Sequence, residues 1–502
     1  MNRVIDRTGF AEIPATCAES ALQRAFDRHD LALAPAALAA IFDPEGVISW
    51  KATGEPRRDG RPVTRGSVFR IASMTKSFLA AAALELRDRG EFDLDRPIDA
   101  YVPGVRFDFA GEAVPVTVRQ LLTNRSGLPE DNAWADRLLG ADPGAIDALG
   151  AAGLRLTAEP DDRYQYSNLG MSYVGRAIEA VTGHAVEDEI TERLLEPLGL
   201  AHTRFEPAAY SADRTLAAGF RTFDGGRSFL DEPYVGAGAL SCIGGLFSTV
   251  DDVARWAAFL QSAFSDAPLH PEVLSARSRR EMQRISTAIP LDAEPSAEPQ
   301  LPKLQAIGYG MGLVVEQDRR FGRIVQHAGG LPGFSSHMRW HVPSGCGVVA
   351  FGNSDVFGAG GLATRALAEV LEAVDAPSEH LPPWPETLDA GKRIDDAVRT
   401  GEPLDGLAGL FSANVMHDLP AAVREQRLVH ARSDAGPVSL RQQPFEERVL
   451  APRGPAELRW RIACARGSLV CEIRLVGLRG PLVQSLAIEC RDVGAAAGGS
   501  TI

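Results

Sequence analysis

Lysine is nearly missing from this chain. Four lysines (Lys51, Lys76, Lys303 and Lys392) stand against 48 arginines. Arginine stays protonated in proteins, whereas burial can tune a lysine to give up its proton, so the few lysines are the places to look for proton chemistry. Cysteine is sparse too. The six cysteines, at 17, 242, 346, 464, 471 and 490, form no Cys-x-x-Cys pair. That excludes a zinc-ribbon pattern and a disulfide framework, and leaves reduced thiols packed as small apolar groups. The ten histidines lack metal-ligand spacing and there is no glycine-rich phosphate loop, so neither a metal nor a cofactor is expected. No transmembrane run is visible. The first thirty residues carry Arg3, Asp6, Arg7, Glu12, Glu19 and Arg24 and contain no apolar signal core. A cytoplasmic protein without a membrane partner is the expectation. The net charge of -14, with no long run of one sign, argues against nucleic acid as a partner and fits a self-repelling surface.

What is present is enough hydrophobic residue (45% of 502) for a sizeable core, and a length that suggests two or three domains. Residues 18–30 have helical amphipathicity. Strands are predicted at 36–42 and 47–52, joined by the turn Asp43-Pro44-Glu45-Gly46. From residue 73 to about 304 the pattern is helical and loop-rich. A short helix opens at Asp93–Ile98. Others are expected at 116–123 with Thr117 as cap, at 143–154, at 172–197, and at 251–264 with Ser248 or Thr249 as cap. Residues 288–303, with four prolines and three acidic residues, read as a flexible excursion. Strands return at 308–316, 323–327, 335–342 and 347–352, and a helix at 361–374 closes the pattern. The sheet is thus drawn from residues 18–72 and 305–376, with a helical insertion between its parts. A cleft is expected at that seam. Residues 377–395, opening on Pro-Ser-Glu-His-Leu-Pro-Pro-Trp-Pro, read as a stiff linker. Residues 396–502 form a separate module with a helix near 419–431, strands near 456–464, 468–476 and 482–490, and a disordered tail from Gly494. It reads as a small α+β or β-barrel-like accessory domain, serving as a lid, a dimer contact or a stabilising appendage.

Three stretches carry chemistry. In Ser73-Met-Thr-Lys76, followed by a run from Ser77 to Leu86 almost free of charge, serine and lysine share one face at the mouth of a buried helix. Unpaired N–H groups there would stabilise an oxyanion. The pattern alone equally fits a capping serine with a surface lysine. In Tyr166-Ser-Asn168, an extended loop would point both side chains the same way. The plain alternative is a loop tyrosine with a turn asparagine. In His327-Ala-Gly329-Gly330, a strand end runs into glycines that allow close ligand approach. A strand-end histidine satisfied by backbone explains it as well.

In order and spacing the three together resemble the serine β-lactamase and penicillin-binding-protein superfamily, in its class C-like branch. That family shows Ser-x-x-Lys, Tyr-x-Asn and Lys/His-x-Gly. Leu121–Pro129, Gly244–Val250 and Gly329–Ser336 resemble its secondary phrases, and the likeness covers roughly residues 18–376. The resemblance implies a mixed α/β (α+β) fold, an antiparallel sheet flanked by helices with an all-helical insertion. It implies an acyl-enzyme on Ser73, activated by Lys76 and Tyr166. It also implies an oxyanion hole from the N–H groups of Ser73 and Gly330, Asn168 orienting Lys76 and binding substrate, and His327 and Gly329 lining the cleft.

The base stays open. Free lysine and tyrosine titrate near ~10.4 and ~10, and lowering either by about three pH units costs about 4 kcal/mol. Burial would lower the lysine and a nearby cation the tyrosine. The third motif departs from the Lys-Thr-Gly common in β-lactamases. Ala328 offers no hydroxyl and a histidine is mostly neutral at pH 7, so efficient β-lactam capture is not expected. His-x-Gly resembles the D-aminopeptidases, D-amino-acid amidases, related esterases and peptide-cyclising members. The expected substrate is a small-molecule or peptide ester or amide. The alternatives are an acyltransferase or peptide cyclase of the same fold, or a non-catalytic binding or sensor protein. A homodimer fits any of these.

Overall fold

Residues Ala36–Phe42 are apolar at every position and buried at every position. Such a run suits a strand covered on both faces, and this one lies inside the main sheet. The computed structural model describes residues 13–210, 215–290, 306–376, 382–450 and 454–491. It divides near residue 380 into two compact units.

The larger unit is built on an eight-stranded antiparallel sheet. Its strands are β1 (Ala36–Asp43), β2 (Gly46–Gly54), β3 (Thr287–Ala288), β4 (Ala306–Tyr309), β5 (Val314–Asp318), β6 (Gly322–Leu331), β7 (Phe334–His341) and β8 (Gly347–Gly352), in the order β3-β4-β5-β6-β7-β8-β1-β2. Strand β1 pairs with β8 from Ala37↔Gly352 to Phe42↔Gly347. Alternation along β1 then feeds two cores. Ala37, Ala39 and Ile41 pack with helices α1 (Ala15–Asp27) and Ala359–Ala373. Leu38, Ala40 and Phe42 face the helical insertion.

The insertion is centred on α2 (Thr75–Asp88), in which every residue from Thr75 to Leu84 is buried. Four consecutive alanines, 80–83, have high helix propensity and let neighbours approach closely. On one side Phe78 stacks on Trp256 at 4.0 Å, and the Trp256 indole N–H donates to Ser77 Oγ at 2.9 Å. On another, the β4–β5 turn lies so near that a Cβ on Gly312 (φ +66) would stand 2.5 Å from the Lys76 carbonyl oxygen. From Thr75 to Leu84 the helix therefore has no free face. Helix α3 (Val118–Leu122) starts with a capping box between Thr117 and Gln120. Helices follow at α4 (Asn132–Ala135), at Pro143–Ala152 and at α5 (Asn168–Thr182), and then at α6 (Val250–Gln261), capped by Thr249.

Several sequence expectations change. The strand expected at 308–316 is two strands, because Gly310 and Gly312 turn the chain between them. The helix expected over 172–197 starts earlier and breaks at Gly183, which is left-handed. The strand expected to end at residue 327 runs on to Leu331, straight through its glycines. Most of the Pro-rich excursion at 288–303 and the whole tail from Gly494 lie outside the described residues.

The second unit has its own core around Ile394, Val398, Leu458, Trp460, Leu469 and Ile473. Its first helix, Pro385–Thr400, begins inside the stretch read as linker. A proline at the first helical position is compatible with a helix start, which is why the Pro-rich pattern misled. A second helix spans Ala421–Ala435. The four-stranded sheet runs Val449–Leu450, Glu457–Ala463, Ser468–Leu475, Val483–Arg491 in sequence order and stays open. The α+β expectation therefore holds, and the barrel-like alternative does not. The buried Asp395 accepts two bonds from Arg448 (2.7 and 2.6 Å) and one from the Trp460 indole (3.0 Å).

Candidate active site

Ser73 lies in a 3-10 turn, Ala72–Met74, that leads directly into α2. Ala72 has φ +48, in the left-handed region, where a residue with a Cβ is disfavoured by about 1–2 kcal/mol. The strained residue is the one before the serine. Lys76 follows on the first turn of α2, fully buried, with Nζ 2.9 Å from Ser73 Oγ and donating to the Ile243 carbonyl at 2.9 Å. Burial pulls its pKa down from 10.5 to about 7, against the partial opposition of the Asp136 and Asp131 carboxylates. An uncharged amine beside Ser73 is therefore abundant at neutral pH.

Tyr166 comes from the loop ahead of α5. Its phenol shares a hydrogen bond with Ser73, and the Lys76 Nζ stands 4.9 Å from its ring centroid. The expectation that a neighbouring cation would lower its pKa is overturned. Burial raises it, and Tyr164, Asp136 and Asp131 push the same way, while only the Ser73 hydrogen bond opposes them. Tyr166 is thus a protonated donor, and Lys76 is the group whose pKa is lowered towards neutrality.

Asn168 lies at the start of a helix rather than in an extended loop. Ser167 caps the N–H of Gly170, so Asn168 is already the first helical residue of α5. Its amide donates to Asp131 Oδ1 (3.2 Å) and Asn132 Oδ1 (2.7 Å), and its own carbonyl oxygen is buried with no hydrogen-bond partner. The backbone carbonyl of Ile243, not Asn168, holds Lys76. Asp131 also accepts from the N–H groups of Asn168 and Leu169 and from Ser167 Oγ (2.7, 3.0 and 3.0 Å). A carboxylate on a helix N-terminus is favoured by the dipole, so Asp131 fixes the loop that carries Tyr166.

His327 is 3% exposed and uncharged. Nδ1 donates to the Ala328 carbonyl at 2.6 Å, which leaves Nε2 to accept from the Tyr309 hydroxyl at 3.1 Å. Burial, reinforced by Lys76, pushes its pKa down to about 3. Gly329 must be glycine. A Cβ there would lie 2.2 Å from both the Ile71 carbonyl and Ser336 Oγ. Ser336 donates to that same carbonyl at 2.7 Å, pinning β6 and β7 to the segment ahead of Ser73. Gly330 meets nothing within 4 Å on its Cβ side.

The structure thus brings Ser73, Lys76, Tyr166 and His327 together around one point. Sequence reasoning missed Asp131, Asp136, Tyr309 and the Ile243 carbonyl. The last belongs to the residue just ahead of the Gly244–Val250 phrase. The others sit outside any short motif.

The family model described as Beta-lactamase matches residues 25–372. The chain belongs to the beta-lactamase family. The chain is 26% identical to Protein flp of Staphylococcus aureus (strain MW2) over 286 residues, 57% of this chain and 52% of that protein. It is 27% identical to Penicillin-binding protein 4* of Bacillus subtilis (strain 168) over 292 residues, 55% and 59% of the two. The chain spans about half the length of the curated relatives it matches. Among solved structures, the octameric penicillin-binding protein homologue from Pyrococcus abyssi superposes with a TM-score of 0.58 at 19% identity, covering 94% of this chain and 98% of that one. A D-stereospecific amidohydrolase from Streptomyces sp. gives 0.52 at 24% identity, with coverage of 70% and 98%. EstCE1, a hydrolase with promiscuous acyltransferase activity, gives 0.53 at 20%, with 72% and 98%. At these identities the likeness establishes the beta-lactamase fold. Among the described residues no helix is long and apolar enough to cross a membrane.

Proposed function

We propose that this member of the beta-lactamase family of serine hydrolases cleaves an ester or amide through an acyl-enzyme on Ser73. The observation that carries the reading is the buried Lys76 amine, 2.9 Å from Ser73 Oγ with its pKa drawn to about 7. A base is most useful when its pKa lies near the working pH. Lys76 accepts the Ser73 proton as the oxygen attacks the carbonyl. Tyr166, held protonated by burial, donates its proton to the leaving group, and the phenolate so formed is reprotonated by Lys76, which carries the proton taken from Ser73. The N–H groups of Ser73 and Gly330 receive the oxyanion.

A neutral His327 turned towards Tyr309, next to an alanine at 328, supplies neither cation nor hydroxyl for a substrate carboxylate. That supports esters, or amides of the D-amino-acid type, over efficient β-lactam hydrolysis. Wild type and Ser73→Ala are incubated with short-chain p-nitrophenyl esters and D-alanyl p-nitroanilide, and followed by turnover and intact mass. An acyl adduct or turnover that vanishes in Ser73→Ala is the expected result. The same activity in both proteins refutes the assignment of the nucleophile. Added amine acceptors that raise product release would move the reading towards acyl transfer.

A further inference from the structure

Tyr166 serves as a proton donor only while its phenol stays on Ser73, so the backbone that carries it has to be held. Asp131 fixes that backbone from Ser167 onward. Asn124, from the Leu121–Pro129 stretch, meets it twice. The Asn124 carbonyl accepts the Gln165 N–H at 2.9 Å, and Asn124 Oδ1 accepts the Ser167 N–H at 3.1 Å. One residue thus bonds the chain on both sides of Tyr166. On the sheet side the ring of Tyr309 meets the ring of Tyr166 edge-on, with centroids 6.1 Å apart and planes at 82°.

Asn124 also stands where glycine is the usual residue. It follows α3 with φ +53 and is 1% exposed. Its N–H donates to the Leu121 carbonyl at 3.2 Å, and the Arg125 N–H donates to the Gln120 carbonyl at 3.0 Å. These are the two bonds of a left-handed helix end. Glycine closes such an end without strain from a Cβ. Asparagine tolerates the same backbone and brings an acceptor that glycine lacks. Here that acceptor is spent on Ser167. The turn is itself tied to the sheet, because the Thr123 carbonyl accepts from Thr287 Oγ1 on β3 at 2.8 Å. Tyr166 is therefore braced, through Asn124, against the edge of the sheet.

We propose that Asn124 is the positioning residue for Tyr166, holding its phenol on Ser73 so that it protonates the leaving group. This rests on the acyl-enzyme reading above, in which Tyr166 supplies that proton. Without the Oδ1 bond the chain is free to turn at Ser167, and the phenol spends less time in the reactive position. The loss falls on leaving groups that need a proton to depart. A leaving group that departs as a stable anion is spared.

The test uses Asn124→Gly, which keeps the left-handed turn and the carbonyl bond to Gln165 and removes only the side-chain bond. Its kcat/KM is compared with wild type on 4-nitrophenyl acetate, whose leaving group departs as an anion, and on ethyl acetate, whose leaving group must be protonated. The fall should be at least tenfold greater on ethyl acetate. Added to Tyr166→Phe, the same substitution should widen the gap between the esters no further, because both changes remove one interaction. A fall by the same factor on both esters is what a structural role alone gives, and it overturns the proposal. If wild type turns over neither ester, or Tyr166→Phe treats the two alike, the fault lies in the acyl-enzyme reading, and a measurement independent of turnover decides the inference. Hydrogen exchange of the Ser167 amide is followed by mass spectrometry on the whole chain, with the Val174 amide inside α5 as the reference for helix stability. Exchange at Ser167 at least tenfold faster in Asn124→Gly, with Val174 unchanged, supports the brace. Equal exchange in the two proteins, or the same acceleration at both amides, refutes it.

Discussion

Lys76→Met should make the protein more stable, and by an amount that depends on pH. Methionine matches the lysine stem in length and removes an amine that folding takes fully out of water. The folded pKa is about 7 against an ordinary 10.5. The unfolded chain therefore binds more protons between these values, and wild-type stability rises as pH rises through that window. Below pH 7 both states are protonated and the full penalty is present. Worked through, holding Lys76 in the fold costs about 4 kcal/mol at pH 7 and about 2 kcal/mol at pH 9. Lost Nζ hydrogen bonds and gained apolar contacts shift the variant by a constant that does not track pH in this way. The gap between Lys76→Met and wild type should then narrow by about 2 kcal/mol from pH 7 to pH 9. Urea unfolding of both proteins at several pH values, followed by tryptophan fluorescence, measures it. A gap constant to within about 0.5 kcal/mol over that range would show that Lys76 is not held near neutrality, and the assignment of the base would go with it. Activity should fall roughly 10²–10⁴-fold in the variant.

The same pKa sets the pH–rate profile: kcat/KM should climb through an apparent pKa near 7 as Lys76 deprotonates, and a flat profile from pH 5.5 to 8.5 would contradict it. Gly329→Ala places a methyl 2.2 Å from the Ile71 carbonyl, so it should lower the melting temperature by several degrees and impair acylation. Gly330→Ala meets open space and should melt like wild type, and equal melting of the two variants would dismiss the packing account. Asp131→Ala strips the acceptor from four donors at the start of α5. It should cost about 1–3 kcal/mol in urea unfolding and lower kcat/KM, whereas an unchanged midpoint would show that the loop holds itself.

Motif residues were legible where chemistry fixes both identity and spacing. Ser73 and Lys76 are three apart on a helix whose burial is written in its alanines, and the β1 run announces a strand covered on both faces. Tyr166 was found by its place between two other motifs. Asn168 was found as a residue of an extended loop, whereas Ser167 caps a helix that already begins at Asn168. The pKa of Tyr166 was misjudged because its own burial outweighs any neighbouring cation, and the same burial leaves Lys76 only about half-charged near pH 7. Asp131, Asp136 and Tyr309 reach the site only through tertiary folding, and no local pattern marks them. The helix at Pro385 was hidden by a proline that suits a helix start as well as it suits a linker.

The pairing of β1 with β8 has a consequence for how the protein is made. Ala37 finds Gly352 only after some three hundred intervening residues have been synthesised. Until then β1 and β2 form a hairpin whose β1 edge is uncovered, together with the apolar face of Leu38, Ala40 and Phe42 that awaits the insertion. Contacts of such long sequence separation fold slowly, and unpaired strand edges attract other chains. On the ribosome the nascent chain therefore carries an adhesive hairpin through most of its synthesis. Premature termination anywhere before residue 352 should yield insoluble product.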